Sequence, residues 1–123
     1  MSSTQLNLGC GGRFRDGWVN VNFASTGLGV IAADLGKGIP FPDQSFDVIY
    51  HSHLLEHFPK AHAPVFLKDC LRVLRPGGVI RIAVPDLEAI ARNYLLALEK
   101  ARSGIEGWDL NYDWMLLEMY DQV

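Results

Sequence analysis

His51, His53, Glu56 and His57 fall within one short stretch, "HSHLLEH", which holds three of the four histidines of the chain. Imidazoles and a carboxylate at this density suit two chemistries. Neutral imidazole nitrogens and carboxylate oxygens are ordinary zinc ligands. Histidine is also the usual side chain for moving a proton near neutral pH. The supply of further ligands argues against zinc. His62 is the only other histidine, and Cys10 and Cys70 stand far apart with no C-x-x-C pair. No metal ligand is assigned. His53, Glu56 and His57 are the candidates for acid–base work, and the structural alternative is that His57 packs to fix a loop between a strand and a helix.

A second group is "LNLGCGG", Leu6–Gly12, where an apolar segment breaks into a glycine-rich turn. Glycines there let the backbone turn tightly and let a ligand approach it closely. The dinucleotide fingerprint G-x-G-x-x-G would need glycine where Phe14 stands, and no G-K-[ST] follows. The turn therefore suits a ligand that brings no phosphate. Cys10 is accounted for by its small size in a tight turn rather than as a reactive thiol, and Arg13 and Arg15 read as solvated loop residues, with substrate contact as the alternative.

These residues need elements to place them. "QLNL" (Gln5–Leu8), "WVNVNF" (Trp18–Phe23), Val30–Ala33, "FDVIYH" (Phe46–His51) and "GGVIRIAVP" (Gly77–Pro85) read as strands. Val65, Phe66, Asp69, Cys70, Val73 and Leu74 recur at helical spacing, between Pro64 and "PGG". A second helix puts Leu87, Ile90, Ala91, Tyr94, Leu95 and Leu98 on one face, and a third is expected at about Asp109–Asp121. Strands apolar on both sides, with a helix between the last two, predict a parallel sheet covered on both faces. Gly9–Gly17 and Ala24–Val30 are too short for ordinary helical crossovers, so the early helices must be reduced or missing.

Composition sets the outer bounds. The chain has 123 residues, 49% hydrophobic and 20% charged, with a formal net charge of −3, which fits one globular domain and gives no basic surface for nucleic acid. Two separated cysteines and no basic-then-apolar leader point to a reduced, cytoplasmic setting. No apolar run reaches membrane-spanning length.

Taken in order, "LNLGCGG", "GWVNVN", "AADLGKGIPFPDQSFDVIYHSHLLEHF" and "CLRVLRPGGVIRIAVPD" resemble the class I S-adenosylmethionine-dependent methyltransferases, most of all the small bacterial type-11-like branch. The likeness runs from about Leu6 to Asp86. It implies an α/β, Rossmann-like, mostly parallel sheet that lacks the family's usual last two strands. Residues 1–123 would be a single domain, with a cofactor-binding core over 1–86 and C-terminal helices over 87–123 acting as a lid or an interface. The implied cofactor is S-adenosylmethionine, with S-adenosylhomocysteine as its product.

Carried over by motif, Gly9, Cys10, Gly11 and Gly12 would line the methionine and ribose by backbone contact. Asn22 stands where the family places an acid on the ribose hydroxyls. Asp34 and Leu35 would hold the adenine, and His51 and Ser52 would border the methionine end. His53, Glu56 and His57 would lie at the mouth of the crevice. Asn7, like Asn22, stands where many members carry an acid. An amide offers one acceptor oxygen in place of an ionised carboxylate, a difference on the order of 1–2 kcal/mol.

The implied reaction is in-line methyl transfer to a small-molecule, sugar-linked or lipid-linked acceptor, with no nucleic-acid partner. Two other readings compete with it. A degenerate cofactor-binding or scaffolding protein is favoured by Asn7, Asn22 and the missing strands, and a metal-dependent hydrolase only by the histidine cluster. Val79–Val84 would be an exposed apolar edge, which soluble proteins avoid. The chain's own C-terminal helices could cover it, as could a homodimer through that edge or through the C-terminal helices, or further strands of a longer gene product. The aromatic and Met-rich tail of Trp108, Tyr112, Trp114, Met115, Met119 and Tyr120 reads either as core or as a substrate lid or partner-facing surface.

Overall fold

The computed structural model describes residues 3–25, 27–107, 110–114 and 116–117. The chain divides into two compact units, Met1–Val84 and Pro85–Val123. The first unit carries five strands, β1 (Gln5–Leu8), β2 (Val19–Asn22), β3 (Val30–Ala32), β4 (Phe46–Ser52) and β5 (Leu74–Ala83). They form one sheet in the order β3-β2-β1-β4-β5, and every neighbouring pair is parallel. This is the α/β, Rossmann-like arrangement expected from the sequence. The connections β1–β2 and β2–β3 contain no helix among the described residues, and a 3-10 turn at Leu35–Lys37 is the helical element described between β3 and β4.

One face of the sheet is the core. Leu6, Leu8, Val21 and Ile49 pack with Phe66, Cys70 and Val73 of helix α1 (Ala63–Val73). Those three helix residues repeat at i, i+4 and i+7, so one stripe of α1 faces the sheet while Val65 stays exposed. Burial pushes the Cys70 thiol up to about 12, which makes it an inert core group. A bulge in β4 adds to this core. The N–H groups of Asp47 and Val48 both donate to the Thr4 carbonyl, at 2.8 and 3.2 Å, and the pairing of β4 with β5 shifts at the same place. The shift brings both Phe46 and Ile49 inward, although their odd spacing would set them on opposite faces of a regular strand.

The other face corrects the expectation of apolar residues on both sides. Register places Val30, Asn20, Asn7, Tyr50 and Arg81 in one row across the five strands. Two buried amides therefore occupy the centre of the row, where a covering crossover helix would require apolar side chains. Shortening of the early connections and polarity of this row go together.

Two boundaries also differ from the sequence reading. Leu74 opens β5 instead of closing α1, so "RPGG" lies inside the strand. Gly78 permits this, because an added Cβ would stand 2.7 Å from Leu74 Cδ1 and 2.8 Å from the Asp47 carbonyl oxygen. β5 forms an edge of the sheet with Val79 and Ile82 exposed, and no strand follows Ala83 among the described residues.

In the second unit, α2 (Leu87–Arg102) begins at Asp86, whose carboxylate accepts from the Ala89 N–H at 3.0 Å. Its buried residues are Ile90 and Ala97, whereas Leu87 and Leu95, expected on the same face, are exposed. The stripe is thus set by Ile90, Tyr94 and Ala97, and Tyr94 stacks obliquely on Tyr112 with ring centroids 5.7 Å apart. Residues 110–114 and 116–117 are helical, as expected for a third helix; the rest of the 109–121 span, including Met115, Met119 and Tyr120, lies outside the described residues, as does Trp108 before it. Among the described residues no helix is long and apolar enough to cross a membrane.

Candidate active site

Five parallel strands bring their carboxyl ends to one rim, and the order β3-β2-β1-β4-β5 reverses direction between β1 and β4. Open α/β sheets bind ligands at such a reversal. Gly9 sits there with φ +60°, a conformation that favours glycine, and a Cβ on it would approach Leu54 Cδ1 to 2.9 Å, so the leucine side chain would have to shift. The turn closes when the Arg13 N–H donates to the Cys10 carbonyl at 2.9 Å. Cys10 is buried in it, and burial raises its thiol pKa, which opposes a nucleophilic role.

Two cavities share Gly9 as a wall. The first, about 340 Å³, is bounded by Asn22, Asp34, Leu35, Leu54 and Phe58, with His57 at its side. The second, about 430 Å³, runs along the glycine turn past Ser52 and His53 and reaches back to Asn7, Arg15 and Tyr50.

In the first cavity, Asp34 Oδ1 accepts from the Gly36 N–H at 2.9 Å and so caps the 3-10 turn. A carboxylate has acceptor capacity beyond that one bond. Asn22 Oδ1 accepts from the Gly11 N–H at 3.3 Å, and its Nδ2 donates to the Ala24 carbonyl at 3.0 Å. The amide thus ties the glycine turn to the end of β2, which a carboxylate with no donor would do only in part.

The histidine cluster does not converge. His51 is fully buried on the α1 face, 5.3 Å from the Phe66 ring centroid, and is absent from the walls of both cavities. Burial holds its pKa below the usual histidine value, opposed by the nearby Glu56 charge. Neither His51 ring nitrogen nor either Glu56 carboxylate oxygen has a hydrogen-bond partner among the described residues, and all four atoms are buried. His53 lines the second cavity, held at φ +54° with its N–H donating to the Ala83 carbonyl at 2.9 Å. His57 lines the first. Among the described residues no group of three or more His, Cys, Asp or Glu is placed to hold a metal ion.

Sequence reasoning missed a group on the second cavity. The Arg15 guanidinium carbon lies 5.4 Å from the Trp18 ring centroid and 5.0 Å from that of Tyr50. Asn20, buried on the polar row, bonds both backbone polar groups of Arg15. Asn7, also buried, donates to Asn20 Oδ1 at 3.1 Å and to the Arg13 carbonyl at 3.2 Å. The signal was present in "GWVNVN", whose alternation sets Asn20 opposite Val19 and Val21.

Comparison with known proteins agrees with this geometry. A family model described as a methyltransferase domain matches residues 15–82, more than half of the chain. A probable S-adenosylmethionine-dependent methyltransferase of Mycolicibacterium smegmatis is 41% identical over 49 residues, covering 39% of this chain and 18% of its own. A ubiquinone biosynthesis O-methyltransferase of Parvibaculum lavamentivorans is 37% identical over 65 residues, covering 52% of this chain and 25% of its own. The chain therefore spans a quarter or less of these two curated relatives. Among solved structures, the PH0226 protein of Pyrococcus horikoshii OT3 superposes with a TM-score of 0.61 at 22% identity, over 81% of this chain and 55% of that one, a likeness of fold.

Proposed function

The chain belongs to the methyltransferase-domain family, and from that premise we propose that it transfers a methyl group from S-adenosylmethionine to a small-molecule or lipid-linked acceptor. The observation that carries this reading is the pair of cavities meeting at Gly9, one with an apolar wall and a carboxylate, the other polar. The first fits a nucleoside: Leu54 and Phe58 offer apolar surface to a purine, and Asp34 offers an acceptor for its amino group beside the Leu35 backbone. Asn22 fits the ribose, and the turn Gly9–Gly12 with Ser52 fits the amino-acid end.

Bound S-adenosylmethionine supplies an electrophilic sulfonium methyl, and its displacement leaves S-adenosylhomocysteine. This chain's contribution is alignment and exclusion of water, by Leu54 and Phe58 on one side and the glycine turn on the other. Of the three acid–base candidates, His53 is assigned the acceptor's proton, at an imidazole nitrogen, because it lines the polar cavity. His57 is assigned to the nucleoside side, and Glu56, whose buried carboxylate has no hydrogen-bond partner among the described residues, is assigned no step. His51 supports the loop from the core.

Isothermal calorimetry with S-adenosylmethionine and S-adenosylhomocysteine tests the reading. Binding in the micromolar range is expected; no heat with either ligand at millimolar concentration would overturn it. A second reading, cofactor binding without turnover, is favoured by Asn22, whose amide is engaged by Gly11 and Ala24. It predicts the same heats and no methylation of any acceptor.

A further inference from the structure

The second cavity does not stop at the strand ends but extends back down the sheet to Asn7 and Tyr50. Tyr50 precedes Ser52 by two strand residues, a distance of about 7 Å along β4. At that inner end stand Arg13 and Arg15. Arg72, Arg75 and Arg92 each pair with a carboxylate, whereas the side chains of Arg13 and Arg15 form no ion pair among the described residues. No Asp or Glu lines the cavity.

Arg15 is also held in place before any ligand arrives. Its backbone is bonded on both sides by Asn20, and its guanidinium is flanked by Trp18 and Tyr50. Two buried amides, Asn7 and Asn20, are devoted to this turn. Burying amides is costly unless they are bonded, and here their bonds fix the position of an exposed cation. A pre-positioned planar guanidinium with its donors unused suits bidentate binding of a carboxylate or phosphate. In a chain of net charge −3, such a local cation is also what an anionic ligand would need.

We infer that this cavity, on the methyltransferase reading above, is the acceptor subsite and that Arg15 anchors an oxyanion of the acceptor, a carboxylate or a phosphate several bonds from the atom that takes the methyl group. The anchor makes and breaks no covalent bond. It sets the distance between the acceptor's charged end and the strand rim.

The test uses binding to the full chain, read by calorimetry, with benzoate and phenyl phosphate as anionic probes and benzyl alcohol as the neutral one. Titrations are run with and without saturating S-adenosylhomocysteine. At least one anion is expected to bind about tenfold or more tighter than the alcohol, and Arg15→Met is expected to remove that preference. The variant should leave S-adenosylhomocysteine affinity within about twofold of the parent. Arg15→Lys, which keeps the charge and loses the fork, should retain an intermediate preference. Equal affinities for all three probes in the parent would overturn the proposal. So would a variant that loses S-adenosylhomocysteine but keeps 5′-methylthioadenosine, since Arg15 would then hold the cofactor's own carboxylate. Failure of both nucleosides to bind would remove the cofactor reading, while the anion preference without nucleoside would still report on Arg15. Unchanged thermal unfolding of the variants excludes misfolding as the cause.

Discussion

Asn20 holds Arg15 by both of its backbone polar groups: the Arg15 N–H donates to Asn20 Oδ1 and Asn20 Nδ2 donates to the Arg15 carbonyl, each at 2.8 Å. A strand side chain is thereby used as a splint for the loop that replaces the first crossover helix. The same Nδ2 also reaches the Trp18 carbonyl at 3.1 Å, so Asn20 reinforces a turn that the Trp18 N–H closes on the Arg15 carbonyl at 3.2 Å.

Asn20→Ala should therefore cost about 2 kcal/mol of unfolding free energy, because it removes the bonds to the Arg15 and Trp18 backbone and leaves the buried Asn7 amide without that acceptor. Urea unfolding checks the number. The anion preference described above should fall with it, whereas Asn20→Asp, which keeps the acceptor and loses the donor, should retain the bond to the Arg15 N–H. A stability change below a few tenths of a kcal/mol for the alanine variant would show that the splint is dispensable.

Asp34 has two duties that substitution separates. Asp34→Asn keeps an Oδ1 acceptor for the Gly36 N–H but loses the charge, and Asp34→Ala loses both. If the carboxylate reads the purine, each variant should weaken S-adenosylhomocysteine binding roughly tenfold or more, while the alanine variant alone loses the cap. An asparagine variant with parental affinity would move the purine elsewhere.

Gly78→Ala should be among the most damaging single-atom additions in the chain. The new Cβ would meet two carbonyl oxygens, of Asp47 and Arg75, at 2.8 and 2.9 Å, and backbone atoms of a sheet do not give way as a flexible side chain does. A loss of about 3 kcal/mol is expected, read as a lower urea midpoint. Gly77→Ala, one residue earlier, meets no atom within 4 Å but is strained by its φ of +80°. It should cost less.

His51 makes stability depend on pH. Its folded-state pKa is lowered by burial, with Glu56 acting in the opposite sense, while the unfolded chain takes up the proton at the ordinary histidine value of about 6.5. Below that value the unfolded state binds more protons, so stability is complete above about pH 7 and falls as the pH is lowered through 6.5 toward the folded-state value. Unfolding midpoints at about pH 7.5, 6.5 and 5.5 should decline in the parent, and the decline should shrink in His51→Phe. An identical slope in the variant would assign the effect to another group.

Much of the fold was legible because its signals are local. Short apolar runs stopped by glycine and proline marked five strands, and spacing of Phe66, Cys70 and Val73 marked the helix between β4 and β5. The brevity of Gly9–Gly17 and Ala24–Val30 foretold early helices reduced or missing, and no helix occurs there among the described residues. The glycine turn was likewise readable from residue type and order, whereas Asp34 was singled out by the family resemblance alone; the two line one cavity at the strand ends.

What only the tertiary structure decided depends on register and on partners distant in the chain. His51 and His53 are two residues apart, yet His51 enters the core while His53 lines a cavity, because the strand ends between them and His53 takes a left-handed conformation. Leu74 looked like the end of a helix and became a strand, since pairing with Phe46 and the room left by Gly78 outweighed helical spacing. Arg15 is exposed, as its place in a loop implied, but nothing in its own neighbourhood announces Tyr50, thirty-five positions later, as the ring beneath it. Local propensity and periodicity can be read along a chain, whereas the pairing of Asn7 with Asn20 and Tyr50 exists only once three strands lie side by side.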